Sequence, residues 1–320
     1  MVNNPVLSIG LVTYNGQFLL RQVLENIAKE IENKNVELII SDNASTDNTP
    51  VIIKDFTSKR PDTVHVRNAD NIGFDANVNQ VVNLSKGQFV WLMSDDDFIR
   101  TGAVDKVLEI IDQHPELSYI FVNYTNQLKL NVQKDTMCSD GNQFFHDINF
   151  KNGLISSNIV NRKLWTELNM MRYNHCSWIH MAYVLQALAP GNNRESYIVT
   201  NEYIKQDGIQ RWGEPGVFID INLKLLRLLS DMNNLGYDSN LGYHETIKEF
   251  ENNLQKGYRR DIPWAKYKGM KNGLHRIGPM KEFFGSYPNF WLIDVPMLLI
   301  PNSVYQIGFK IMHKIQNRNV

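Results

Sequence analysis

Residues 88–100 read QFVWLMSDDDFIR, an apolar run that ends in three consecutive carboxylates. Gln88 to Met93 has the length and the aromatic and β-branched content of a buried strand. Three adjacent like charges repel one another. The triplet therefore needs a solvated turn, a helix N-terminus or a cation opposite it. The same arrangement recurs upstream. Val6 to Thr13, VLSIGLVT, is a second apolar run, followed by Tyr14-Asn15-Gly16. Val36 to Ser41, VELIIS, is a third, followed by the polar stretch Asp42-Asn43-Ala44-Ser45-Thr46-Asp47. Val64 to Val66 is a further short strand.

Helical patterns separate these runs. Leu20, Val23, Leu24, Ile27 and Ile31 fall on one stripe at helical spacing. Thr49-Pro50 opens the next helix, with Thr as N-cap and Pro at the first helical position. Residues 71–84 and 102–111 are predicted as two more. Strands alternating with helices imply parallel βαβ units, hence an α/β fold with a doubly wound sheet. Such sheets bind ligands beyond the carboxyl ends of their strands. Each of the three polar clusters directly follows a strand, so three distant sequence positions converge on one edge. Further on, 119–124 and 197–203 read as strands, and 162–168, 180–188 and 218–232 as helices.

Composition bounds the function classes. Of 320 residues, 43% are hydrophobic and 21% charged, an ordinary globular balance. A formal net charge of -1 provides no field that favours nucleic acid. The charge is uneven, however. Residues 251–320 hold eleven Lys/Arg against four Asp/Glu, a surplus of seven positive charges, which leaves -8 on residues 1–250. Cys138 and Cys176 fit neither a metal-ligand spacing nor a disulfide framework, so a reducing compartment is expected. The N-terminus has no basic n-region or small-residue cleavage site. No stretch reaches the roughly 18 apolar residues of a membrane span. The expected location is the cytoplasm. Two Asn-x-Ser/Thr matches, at Asn43 and Asn123, read as chance.

The aspartate triplet has two readings. One is a helix N-terminal region, where carboxylates satisfy free N–H groups. The other is a divalent-cation site, since Mg²⁺ and Mn²⁺ take oxygen ligands, often one or two carboxylates plus phosphate oxygens.

Taken in order, SIGLVTYN (8–15), ELIISDNASTDNT (37–49) and NIGFDANVNQVVNLSKGQFVWLMSDDDFIRTGAV (71–104) resemble the family 2 glycosyltransferases of the GT-A fold. The resemblance implies a Rossmann-like, mixed but mostly parallel sheet flanked by helices over residues 1–215. A basic, mainly helical extension follows over 216–320. It also implies nucleotide-binding roles for Thr13, Tyr14, Asn15 and Asp42, with Asn71, Gly73 and Asn77 framing nucleotide and sugar. The family stretch Asp-Asp-x-Leu-x-Pro-x-Ala-Leu aligns with Asp96 to Val104. Asp97 then falls at the metal and Asp96 at the ribose or sugar side of the reaction centre, with Asp95, where members have a small residue, beside the nucleotide; which two of the three bind stays open. Ser94 stands where many members have an acid, and Thr101 replaces the usual Pro.

The implied activity is an inverting, Mn²⁺- or Mg²⁺-dependent transfer from a nucleotide-sugar donor to a glycan acceptor, lipid-linked at the cytoplasmic face of the inner membrane. The family's base is an Asp in a Glu-Asp pair that opens a helix. This chain lacks the pair; in YNHCSWIHMAYVLQALAPG (173–191) His180 falls near that slot. His180 is the expected base, with His175 and Asp207 as further candidates. The competing reading is a His that caps or lines the helix. This departure resembles the abequosyltransferase-like branch acting on O-antigen sugars. Arg211 and Trp212, in KQDGIQRWGE (205–214), are expected either to close over the donor or to lie in a surface loop.

Residues 290–318 are apolar, broken by Pro296 and Pro301, and then amphipathic with Lys310, Lys314 and Arg318. They read either as a membrane-interface segment or as helices packed on the catalytic domain or on a second subunit of a homo-oligomer. Two other functions compete. A sugar-nucleotide pyrophosphorylase would need a Gly-rich phosphate loop, and the first loop here, Thr-Tyr-Asn-Gly-Gln, has one Gly. A binding module without catalysis is kept open by the missing Glu-Asp pair.

Overall fold

The computed structural model describes residues 4–125, 129–206, 215–237, 243–271 and 273–316. They form two compact units, Met1–Gly208 with Met232–Asp238, and Ile209–Asp231 with Ser239–Val320.

The first unit begins with β1 (Leu7–Thr13), α1 (Leu20–Glu30), β2 (Val36–Asp42), α2 (Thr49–Lys59), β3 (Val64–Arg67), α3 (Phe74–Leu84) and β4 (Phe89–Met93). It continues through β5 (Asp97–Ile99), α4 (Ala103–Gln113), β6 (Tyr119–Tyr124), β7 (Thr136–Cys138) and α5 (Gly141–Ile148). It ends with β8 (Asn158–Asn161), α6 (Arg162–Glu167), α7 (Ile179–Ala187) and β9 (Ser196–Gln206). The strands form one sheet in the order β3-β2-β1-β4-β8-β6-β9-β5, with β7 paired to β9.

The sheet has two characters. β3, β2, β1 and β4 run parallel. β8 then enters antiparallel between β4 and β6. β6 pairs parallel with β9, while β5 and β7 pair antiparallel with it. In the parallel half, every residue of β1 and β4 is buried. Strands covered on both faces read as unbroken apolar runs, which is why they were visible in the sequence. Gly10 shows how tightly that half packs. A Cβ there would lie 2.1 Å from a methyl group of Val81, so α3 sits directly on β1.

Several helix starts differ from expectation by one to three residues. α3 begins at Phe74 rather than 71, because Gly73 has φ +86° and turns the chain out of the helix. Thr49 is the first residue of α2 rather than its cap; its N–H donates to Asp47 Oδ1 at 2.9 Å. β5 was not anticipated. The last aspartate of the triplet belongs to this short strand, opposite Gln206 of β9.

The second unit contains α8 (Val217–Ser230), α9 (Tyr243–Tyr267), α10 (Ile277–Phe284), α11 (Val295–Leu299) and α12 (Asn302–Gln316). Ile219, Leu223 and Leu226 of α8 share a core with Tyr258, Ile262, Phe284 and Phe290. Ion pairs Arg276–Asp220 (2.6 Å) and Arg259–Asp294 (2.8 Å) reinforce it. No single described helix is long and apolar enough to cross a membrane.

Candidate active site

The carboxyl ends of β1, β2, β3 and β4 form one hydrogen-bonded edge. At the end of β1, Thr13 Oγ1 donates to Asp95 Oδ2 after β4. Gly16 makes room for this contact, since a Cβ there would collide with the same carboxylate. Asn15, at φ 56°, places its N–H on Ser45 Oγ (2.9 Å), and its side-chain oxygen accepts the Thr46 N–H (2.8 Å). Tyr14 between them is half exposed at the rim.

Asp42, at the end of β2, is fully buried. Its Oδ1 accepts the Ser45 N–H at 2.9 Å, and its Oδ2 accepts from Arg67 Nε at 3.1 Å. Arg67 also donates to the Ser45 carbonyl at 2.8 Å. Both oxygens of Asp42 therefore shape the loop, and the half-exposed guanidinium of Arg67, at the end of β3, stands beside it. Asn43 ties the loop to the segment before α3. Its Nδ2 donates to Asn71 Oδ1 (2.9 Å) and to the Gly73 carbonyl (3.2 Å), and its Oδ1 accepts the Ile72 N–H (2.9 Å). Asn77 is buried beneath, its Oδ1 accepting from Ser41 Oγ (2.6 Å) and Asn68 Nδ2 (3.3 Å).

The triplet divides by environment. Asp95 and Asp96 are partly exposed. Asp96 Oδ1 accepts from Ser94 Oγ. Asp97, the expected metal ligand, is 3% exposed, with Oδ2 accepting from Ser156 Oγ at 2.6 Å. Ser156 Oγ in turn accepts the Ser94 N–H at 3.0 Å. The cause is β5: pairing with β9 draws Asp97 into the sheet and leaves its two neighbours at the edge. Among the described residues, no three His, Cys, Asp or Glu side chains gather to enclose an ion. The donor set is instead a carboxylate pair on a strand end, which fits a hard cation that completes its shell with phosphate oxygens.

His180 lies in the first turn of α7, and its ring is 2% exposed. Its Nε2 sits 3.0 Å from the Gly153 carbonyl oxygen. A carbonyl only accepts, so Nε2 carries the proton and Nδ1 keeps the lone pair. Nδ1 has no partner among the described residues. Burial pushes the pKa down to about 4, so the ring is neutral at pH 7. Phe74 and Trp178 pack against it, with ring centroids at 6.1 and 5.8 Å. A neutral imidazole is chemically able to take a proton, but in this conformation the ring is enclosed. His175 is exposed. Asp207, Arg211 and Trp212 lie outside the described residues.

Sequence reasoning missed Arg67, Asn68, Asp75 and Ser156. Arg67 was findable, because it ends β3 as Asp42 ends β2. Asp75 carried no signal. It is 3% exposed and accepts the N–H groups of Ser177 (2.6 Å) and Ile179 (3.1 Å), joining α3 to the first turn of α7.

The abequosyltransferase RfbV of Salmonella typhimurium is 28% identical over 114 residues, 35% of this chain and 34% of the relative. A Campylobacter jejuni enzyme named GalNAc(5)-diNAcBac-PP-undecaprenol beta-1,3-glucosyltransferase is 26% identical over 133 residues, 41% of this chain and 42% of the relative. These matches thus span between about a third and two fifths of the relatives' lengths. Among solved structures, S. aureus TarS with UDP-GlcNAc has a TM-score of 0.60 at 15% identity, covering 88% of this chain and 82% of TarS. The mannosyltransferase PcManGT of Pyrobaculum calidifontis, with GDP-Man and Mn²⁺, has a TM-score of 0.54 at 14% identity, covering 95% and 87%. Likeness at these identities concerns the fold, which is GT-A. Residues 8–184, more than half of the chain, match the Glycosyl transferase family 2 pattern, and the chain belongs to that family.

Proposed function

We propose that this chain moves a sugar from a nucleotide-sugar donor to a hydroxyl of a lipid-linked glycan acceptor, with inversion, at the cytoplasmic face of a membrane. The observation that carries the reading is the single edge on which Thr13–Asp95, Asn15–Ser45, Asp42–Arg67 and Asn43–Asn71 join four strand ends. Parallel strands bind ligands at this edge. The named relatives and the nucleotide sugars in the two neighbours' structures support it.

In this reading Tyr14 and the Asn71–Gly73 segment flank the base. Asp42 acts through the loop it holds, and Arg67 meets negative charge on the donor. Asp96, with Asp95, faces the diphosphate, and Asp97 anchors the triplet through Ser156. Mn²⁺ or Mg²⁺, when bound there, offsets the charge on the departing diphosphate. The acceptor oxygen bonds to the anomeric carbon as the bond to the diphosphate breaks, and the acceptor proton passes to His180 Nδ1. For that transfer Phe74 or Trp178 must swing aside.

One observation favours a second reading, a nucleotide-sugar-binding module without turnover: the enclosure of His180. A panel of UDP-, GDP- and CDP-sugars with Mn²⁺ and a lipid-linked glycan acceptor separates the two. Product release by wild type, lost in Asp96→Ala, is expected. Tight donor binding without turnover across the panel would establish the module instead.

A further inference from the structure

On the second unit, a set of large apolar side chains faces outward around a sharp break. Phe290–Leu299 and Asn302–Ile311 meet at 88°. The break has a local cause. Pro301 has no N–H to donate and drives Ile300 into an extended conformation, with ψ 128°. Before the break, Leu292 is 75% exposed, and Trp291, Leu299 and Ile300 are exposed as well. After it, Val304, Ile307 and Ile311 follow helical spacing along one face of α12, with Ile307 at 59% exposure. The inner face of α12 is already used: Phe309 stacks on Tyr267 at 4.6 Å and lies 5.9 Å from Trp264 of α9. The outer apolar stripe therefore contributes nothing to the unit's own core, and a soluble monomer rarely shows so much apolar surface in one place.

Charge identifies what covers it. Residues 251–320 carry a surplus of seven positive charges. Their carboxylates at Asp261, Glu282 and Asp294 already face Arg260, Arg227 and Arg259. Exposed tryptophans and lysines sit together, Lys268 over Trp264 at 4.7 Å and Lys281 over Trp291 at 5.7 Å. A second copy of the same face would bring equal positive charge against it. An anionic surface would attract it. Aliphatic side chains fringed by tryptophan and lysine match the gradient from acyl chain to phosphate headgroup.

We infer that the face from Trp291 to Ile311 is a docking surface for a bilayer containing anionic lipid. The apolar side chains enter the acyl boundary, and Lys268, Lys281 and Lys310 lie among the phosphates. This goes beyond the donor chemistry and stands or falls without it, because its test reads no turnover.

The test is sedimentation of the full chain with vesicles of phosphatidylcholine alone or in an equimolar mixture with phosphatidylglycerol. Binding to the mixed vesicles is expected, weakening as salt is raised. Leu292→Asp with Ile307→Asp lowers partitioning by about tenfold or more. Lys268→Glu with Lys281→Glu lowers it by about fivefold per lysine on the mixed vesicles. All four positions are exposed, so unchanged far-ultraviolet circular dichroism controls for folding. Brominated lipid quenches wild-type tryptophan fluorescence, and Trp291→Phe reduces that quenching. Absence of wild-type sedimentation with either vesicle overturns the inference. So does a chain that self-associates without lipid and becomes monomeric in Leu292→Asp with Ile307→Asp, since a second copy then covers the face.

Discussion

The two ends of the candidate reaction centre are built on opposite terms. At the donor edge, polar side chains are partnered, and the groups left facing outward, Tyr14, Arg67 and Asp96, stand at strand ends and on loops pinned from several sides. At the α7 end His180 is sunk between the rings of Phe74 and Trp178, with one nitrogen unpartnered among the described residues. A pre-organised edge loses little on binding a charged ligand, because its dipoles are already oriented. An enclosed imidazole must be uncovered before it acts. In the proposed reaction the donor edge is therefore ready as it stands, and the His180 end is where a conformational step is required.

Breaking the edge should give the largest effect. Asp96→Ala removes a partly exposed carboxylate facing the proposed diphosphate, and turnover should fall by about 10²–10³ in an initial-rate assay. Asp97→Asn, which keeps a partner for Ser156, should cost less than tenfold; the reverse ranking would place the ion on Asp97. Next is His180→Ala, expected to lower turnover by about 10² with donor affinity by calorimetry nearly unchanged. A loss below tenfold would assign His180 to packing alone.

The enclosure of His180 also sets a stability signature. Its folded pKa is about 4 against an ordinary 6.5. Between those values the unfolded chain binds the proton and the folded one does not. Stability is full above pH 6.5 and declines as pH falls toward 4, by about 3 kcal/mol in total for this group. His180→Gln should remove that component. Chemical denaturation of both proteins at pH 7.5 and pH 4.5 checks it, and parallel losses would mean the ring is not shielded as described.

A smaller effect sharpens the link between the two ends. Asp75→Asn weakens the acceptor of the Ser177 and Ile179 N–H groups, and should cost about 1–2 kcal/mol of stability. It should also lower kcat more than it raises the donor KM. An unchanged kcat would show that α7 keeps its place without Asp75.

These two ends were unequally legible in the sequence. β1, β2 and β4 announced themselves because strands buried on both faces are unbroken apolar runs. The clusters after them pointed to the edge by position alone. β5, β7 and β8 are three or four residues long and owe their existence to partners far along the chain, β9 above all, so no local period marks them. That is why the sequence divided the aspartate triplet by resemblance and not by burial, although β5 pulls Asp97 inward. Likewise, α7 is buried at every residue but Gln186. A helix without a polar face shows no stripe from which the enclosure of His180 could be read.

The central claim is that the carboxyl edge of the parallel strands holds a nucleoside diphosphate with a divalent ion at Asp96. Calorimetric titration of UDP and GDP into the full chain, with Mn²⁺ and again with EDTA, tests it directly. Saturable binding of at least one nucleotide with Mn²⁺ is expected, weakened by about tenfold or more on chelation, with a comparable weakening in Asp96→Ala with Mn²⁺ present. Nucleotide binding that is indifferent both to Mn²⁺ and to Asp96→Ala would contradict it.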